Sequence, residues 1–289
     1  MRRLLAPALV TALALVPATA RAEPYDIDLR DLGDPSTDPT ALARFGILSS
    51  DLALALTAAV LTPASTTGHS GFDVALEGAF TGVHPEPVGG SSPWQTIAEP
   101  PHELLVSSIR VRKALPYSVE LGGRVLNVSQ SNFWAGQIEA RWALNEGFHN
   151  LPDLAVRAAH TQLFGHRDWN LSATDFDVSV SKSFPFLGVL TLTPYLAARF
   201  TFVDASSEPI VFTPNATGDP QQDVSLASQF PNFRSTFYRT TLGCRMRTYL
   251  VSMALELTYS GGAEQGGDEY PTYDVPSSFG GALRLGFEF

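Results

Sequence analysis

The residues that carry the most chemistry are charged, and they recur at every second position. Ten arginines stand on the polar side of alternating stretches: Arg110, Arg112, Arg124, Arg141, Arg157, Arg199, Arg239, Arg245, Arg247 and Arg284. Nine carboxylates share that side: Asp73, Glu77, Glu120, Glu139, Asp153, Asp175, Asp177, Glu256 and Glu288. A guanidinium forks onto a carboxylate through two parallel hydrogen bonds, so a nearly balanced set points to an enclosed face laced by Arg–carboxylate pairs. The residues assigned to that network are Glu77, Arg110, Glu120, Arg124, Glu139, Arg141, Arg157, Asp175, Asp177, Arg199, Arg239, Arg245, Glu256 and Arg284. A strongly ion-selective path would want one sign in excess. Two readings stay open: structural filling, and a polar solute path gated by the pairs.

Other chemistries are thinner. His160 and His166, with Asp168 and Asp175 close in sequence, could do acid–base work. No G-x-S-x-G motif surrounds a serine, and no catalytic residue is assigned. His69, His84, His102 and His149 lack metal-ligand spacing and read as solvated loop or turn residues. Glu264, Asp268, Glu269 and Asp274 lie among glycines without the order of an EF-hand. The single cysteine, Cys244, allows no disulfide framework and no Cys-based metal site. It reads as a small apolar residue facing outward. No metal and no cofactor are expected.

The elements that must position these charges are strands. Ten stretches alternate with a period of two, beginning at Phe72, Leu105, Tyr117, Trp134, Leu154, Phe176, Leu190, Tyr238, Val251 and Phe279. Short connections near 113–116, 145–152, 182–187 and 247–248 alternate with a second set that includes the long stretches 81–101, 204–232 and 261–277. Aromatic residues gather at both strand ends. Tyr117, Trp142, Phe184, Phe186, Tyr249, Phe287 and Phe289 lie near the short turns, and Phe80, Trp134, Trp169, Phe200, Phe202, Tyr238, Tyr259 and Phe279 near the other set. Two bands of rings are the girdles expected at two membrane interfaces.

The last stretch, Phe279 to Phe289, places Phe279, Gly281, Leu283, Leu285, Phe287 and Phe289 on one face, with Arg284 and Glu288 on the other. It resembles the C-terminal targeting strand of bacterial outer-membrane β-barrels, which ends in Phe behind alternating apolar residues. The resemblance implies an assembly signal at Phe279, Leu283, Leu285, Phe287 and Phe289. It also implies a bacterial outer-membrane location, with lipids and the barrel-assembly machinery as partners. The fold expected is all-β: a transmembrane antiparallel up-and-down barrel of about ten strands with an N-terminal helical or plug-like segment.

Charged residues make up 17% of the 289 residues and aromatics 10%. Mean hydropathy is +0.04, which suits strands that are apolar on one face only. The formal charge of −10 gives no basic surface for nucleic acid. Residues 1–22 read as a signal peptide: Arg2 and Arg3, an apolar run from Leu4 to Val16, and a small-x-small site at Ala20–Ala22. Removing the leader's three arginines takes the charge to −13. Residues 23–70 form an N-terminal periplasmic arm, and 71–289 the barrel. Within the arm, Phe45, Leu48, Leu52, Ala55, Leu56 and Ala59 follow helical spacing, which predicts a helix over 41–61 capped by Ser49, Ser50 or Asp51 and stopped by Pro63. With ten strands, the arm and Phe289 both fall on the short-turn side. The helix either enters the lumen from there or lies against the short turns.

Ten strands are close to the narrow end of barrel widths. The expected function is a narrow channel or transporter for a small solute. The alternative is a structural or surface-recognition barrel acting through its long loops, and a hydrolase stands third.

Overall fold

The computed structural model describes residues 27–57, 59–68, 70–95, 100–186, 188–214, 218–261, 265–266 and 277–289. The proposed signal peptide, His69 and the acidic residues 264, 268, 269 and 274 lie outside them.

A helix comes first, α1 (Pro39–Leu56). Among the described residues twelve strands follow: β1 (Phe72–Gly82), β2 (Glu103–Leu115), β3 (Val119–Val128), β4 (Trp134–Asn145), β5 (Asp153–Phe164), β6 (Trp169–Ser181), β7 (Phe184–Phe186), β8 (Leu190–Ser207), β9 (Phe233–Thr248), β10 (Val251–Ser260), β11 (Gln265–Gly266) and β12 (Ser278–Glu288). β7 and β11 are short flaps on β8 and β9. The other ten pair antiparallel with their neighbours, and β12 pairs with both β10 and β1. The sheet therefore closes into a ten-strand barrel. At the seam Phe72 and Phe289 exchange backbone bonds at 2.6 and 2.9 Å. Glu77 stands opposite Arg284, and Asp73 opposite Glu288.

Closure follows from the period-two pattern. One side chain in two turns outward, and those positions are apolar. Leu76, Ile109, Val125, Ile138, Val178, Leu196, Leu242, Leu255 and Leu283 are all exposed on the outer wall. The aromatic bands sit as the sequence suggests, with one exception. Trp169 is buried at 3% exposure and points into the lumen. It shares strand parity with Asp175 and Asp177, so its face was fixed by register.

The helix begins earlier than its apolar spacing suggests. Asp38 is the cap, its carboxylate accepting the Thr40 N–H at 2.9 Å, and Pro39 fills the first turn without needing a donor. Ser49, Ser50 and Asp51 lie mid-helix and buried. The helix ends at Leu56, seven residues before Pro63, because barrel arginines take the carbonyls that would continue it.

Residues 39–57 and 59–67 occupy the lumen. Of the 18 helical residues, 15 are buried, so the helix is covered on every side. Its partners include Leu104, Val106, Leu126, Val128, Leu163, Trp169, Leu171, Val203, Phe233 and Phe237. These are inward-facing residues at the long-loop ends of the strands. Beyond the helix, Ala59 and Leu61 pack on Ala254 and Ala282 at mid-barrel, and Ala64 on Ala143 and Ala155 nearer the short turns. The chain thus runs from the long-loop rim to the short-turn end before β1 starts. Residues 27–38 therefore lie at the long-loop rim and not at the short-turn end that strand parity suggests: Ile27 bonds His166 in the β5–β6 turn, and Ser36 bonds Ser228 in the loop before β9. Strand parity does not register a crossing made inside the barrel.

Candidate functional site: the plugged lumen

The fourteen residues assigned to the lumen network all face inward, none more than 8% exposed. Strand alternation positions them, and the closed wall brings them together. Many pair as arginine–carboxylate. Arg157 bridges Glu139 and Asp177, both at 2.7 Å. Glu77 lies 3.3 Å from Arg110 and 3.4 Å from Arg124. Glu120 lies 3.2 Å from Arg141 and 3.6 Å from Arg112. Across the seam Arg284 pairs with Asp73, and on the β9–β12 side of it Glu288 lies 3.2 Å from Arg245. Arg247, at the short-turn mouth, is part-exposed and 3.5 Å from Glu288.

The network has a second set of partners that alternation does not reveal. Five arginines donate to backbone oxygens of the plug. Arg239 donates to Leu54 O at 3.1 Å and Thr57 Oγ1 at 2.8 Å, and Arg124 to Leu56 O at 3.1 Å. Arg199 donates to Thr57 O. Arg110 takes Val60 O at 2.6 Å and Ala59 O at 3.1 Å. Arg141 takes Pro63 O and Ser65 O. The last carbonyls of a helix have no partner within it and carry its negative dipole end, so cations are the natural cap. Glu256 does the complementary job. It accepts Val60 N–H at 3.0 Å, Leu61 N–H at 2.5 Å and Tyr195 O–H at 3.0 Å. Gly243 lies opposite Tyr195 in the ladder, and a Cβ there would overlap the tyrosine ring.

The helix is also tied along its length by the β1–β2 loop. Asp51 is fully buried and accepts from His84 N at 2.8 Å, His84 Nδ1 at 2.7 Å and Trp94 Nε1 at 3.1 Å. His84 is therefore no solvated loop residue, as its spacing alone suggests. Burial pushes its imidazole pKa down, but the hydrogen bond and charge of Asp51 outweigh burial, with help from the Ser277 carbonyl and Glu86, and the value stands above the ordinary one. Asp51, His84 and Trp94 escape sequence reading because their loop and helix meet only in three dimensions.

The residues considered for acid–base work do not converge. His160 faces outward and bonds Thr174 Oγ1 at 3.0 Å, while Asp175 faces the lumen beside Thr201. His166 instead anchors Ile27 O at 2.9 Å. Among the described residues no group of three or more His, Cys, Asp or Glu could hold a metal.

Outside the lumen, a groove of about 760 Å³ crosses the outer wall over Gly123 and Gly136, beside His160. At the long-loop rim, a cleft of about 350 Å³ lies between Ile27–Arg30, Asn132–Phe133 and Gly165–Asp168. Another, of about 620 Å³, is lined by Ser206–Glu208 and Gln229–Asn232.

The terminal residues Phe279, Leu283, Leu285, Phe287 and Phe289 are exposed on the outer wall. No helix among the described residues is long and apolar enough to cross a membrane. The strands do so instead: a closed wall, apolar outward and ringed by aromatics, leaves no backbone group for lipid to strand. The chain is a closed ten-strand β-barrel with the outward apolar wall of a transmembrane barrel.

No protein-family model and no curated protein sequence matches the chain. Solved barrels are similar to it. The N-terminal β-barrel domain of Pseudomonas aeruginosa OprF is 12% identical, covering 75% of this chain and 97% of its own, with a TM-score of 0.30. Neisserial surface protein A is 13% identical over 75% and 95%, with a TM-score of 0.31. The translocator domain of the autotransporter NalP from Neisseria meningitidis is 10% identical over 89% and 98%, with a TM-score of 0.30.

Proposed function

We propose that this protein is a closed outer-membrane barrel that acts at its outer rim, as a surface-recognition module. The observation that carries the reading is the occupied lumen. A helix and the extended segment after it fill the axis, and five arginines and Glu256 hold that plug from the wall. Withdrawing it would strand buried guanidiniums and carbonyls together, and would uncover Phe45, Leu48 and Leu52. A solute path gated by plug movement therefore has to overcome many kcal/mol of buried contacts, which favours recognition over the small-solute channel.

The plug also builds the rim. Residues 27–38, the turn 165–168 and the loop segments 206–208 and 228–232 make a composite surface with the two clefts described above. Such a surface suits contacts with a molecule outside the cell. Membrane lipids would bathe the outer wall, and the assembly machinery would read the Phe289 strand. Planar-bilayer recording of the full chain tests the reading. Purified protein should insert without ohmic conductance, and steady single-channel steps from the unmodified barrel would refute it.

A further inference from the structure

We infer that residues 27–38 lie on the outer face of the membrane, carried there through the barrel's own lumen. The inference rests on the proposed orientation, with long loops outside, and goes beyond it. An arm that precedes β1 and arrives by export starts on the periplasmic side, where Phe72 is bonded to Phe289 at the short-turn end. From that point the chain climbs the axis. Thr67 bonds Glu120 at 2.7 Å, Ala64 bonds Ser181 at 2.9 Å, Val60 bonds Glu256 at 3.0 Å, and α1 follows. It ends among the outer turns, where Arg44 reaches Val88 O at 3.0 Å and Ile27 meets His166.

The wall offers no other route. Ten strands are hydrogen-bonded around the full ring, and unpaired backbone in lipid costs several kcal/mol per group. The finished lumen is filled by the same segment, so passage belongs to assembly, before β12 zips onto β1. The barrel thus acts once as a translocator, with its own arm as cargo, and then displays part of that arm beside its loops.

Cysteine accessibility tests this in the full chain, with Cys244→Ser as background. Asp31→Cys and Thr37→Cys probe two exposed arm positions. Gln229→Cys reports the long-loop side and Asn150→Cys the short-turn side; both are exposed. Intact cells are treated with a membrane-impermeant maleimide, and folding of each variant is checked by heat-modifiable mobility. The arm cysteines should label as fully as Gln229→Cys, while Asn150→Cys stays at background until the outer membrane is permeabilised. If Gln229→Cys labels and both arm cysteines stay at background until permeabilisation, the inference falls and the proposed orientation stands. If Asn150→Cys labels in intact cells and Gln229→Cys does not, the orientation falls, and the inference with it.

Discussion

Removing the carboxylate of Glu256 should release the plug below its helix without unfolding the barrel. Glu256 is 1% exposed and accepts three hydrogen bonds, two of them from the adjacent amides of Val60 and Leu61. Leu61 stands at φ 53°, in the left-handed region that costs a non-glycine residue about 1–2 kcal/mol. The two amide bonds help hold it there. Glu256→Leu roughly preserves volume and deletes the acceptor. Each orphaned buried amide costs about 1–3 kcal/mol, giving about 2–6 kcal/mol for the pair. The Tyr195 hydroxyl can rotate and is left out of that sum. Against this, the variant no longer buries a carboxylate, a cost of several kcal/mol in its own right. The two effects oppose each other in global stability, so a denaturation midpoint is the wrong assay.

They do not oppose each other locally. With the acceptor gone, the strain at Leu61 and the orphaned amides both favour opening of residues 59–62. A local change of about 4 kcal/mol corresponds to roughly a thousandfold faster exchange, at 1.4 kcal/mol per decade. Hydrogen–deuterium exchange on the barrel in micelles reads this directly. Glu256→Gln keeps one carbonyl oxygen, enough for two of the three donors, and should raise exchange by about tenfold. Unchanged protection of residues 59–62 in Glu256→Leu would refute the assignment of Glu256 as the acceptor that holds the plug.

Three further outcomes are expected. The tie between the β1–β2 loop and α1 should weaken as pH rises: a raised His84 pKa gives a contribution that is full below about pH 6.5 and is lost as pH passes through the folded-state value. Proteolysis of residues 83–95 should accelerate over that window, and Asp51→Asn should flatten the dependence. Leu48→Ala, fully buried on the plug helix, should cost about 2–5 kcal/mol, read as a lowered guanidinium midpoint of the refolded barrel. Phe289→Ala removes a ring 5.4 Å from that of Phe72 but leaves the backbone bonds at the seam, so the folded fraction in membranes should fall while barrel refolded in detergent keeps its strand pairing.

The wall was legible because a period of two reports facing directly. Phe279 to Phe289 reads as the closing strand, and Arg284 and Glu288 turn inward as that parity requires. The plug was only half legible. Helical spacing located it, yet its limits depend on Asp38 at one end and on arginines from distant strands at the other. One signal for its position was present and easily passed over. On the inward parity of β2, β3, β6 and β8, the long-loop ends carry Leu104 and Val106, Leu126 and Val128, Leu171 and Ala173, Val203 and Ala205. A strand that is apolar on both faces at one end must meet something apolar inside. Trp169 belongs to that set, which is why it left the girdle.

Counting charges alone also misassigns what the lumen arginines do. Ten against nine suggests closed accounts between arginine and carboxylate, yet Arg239 makes its hydrogen bonds to Leu54 O, Thr57 Oγ1 and Ser260 Oγ. A helix that stops inside a membrane barrel leaves its final carbonyls without water. Only a donor from the wall can satisfy them, and the guanidinium fork reaches two oxygens at once, as Arg110 and Arg124 do. Lysine in those places would keep the charge and lose the second bond. The same arginines that fill the lumen electrostatically are therefore what lets a helix end there, and a barrel built this way is closed by the hydrogen-bonding needs of its own backbone.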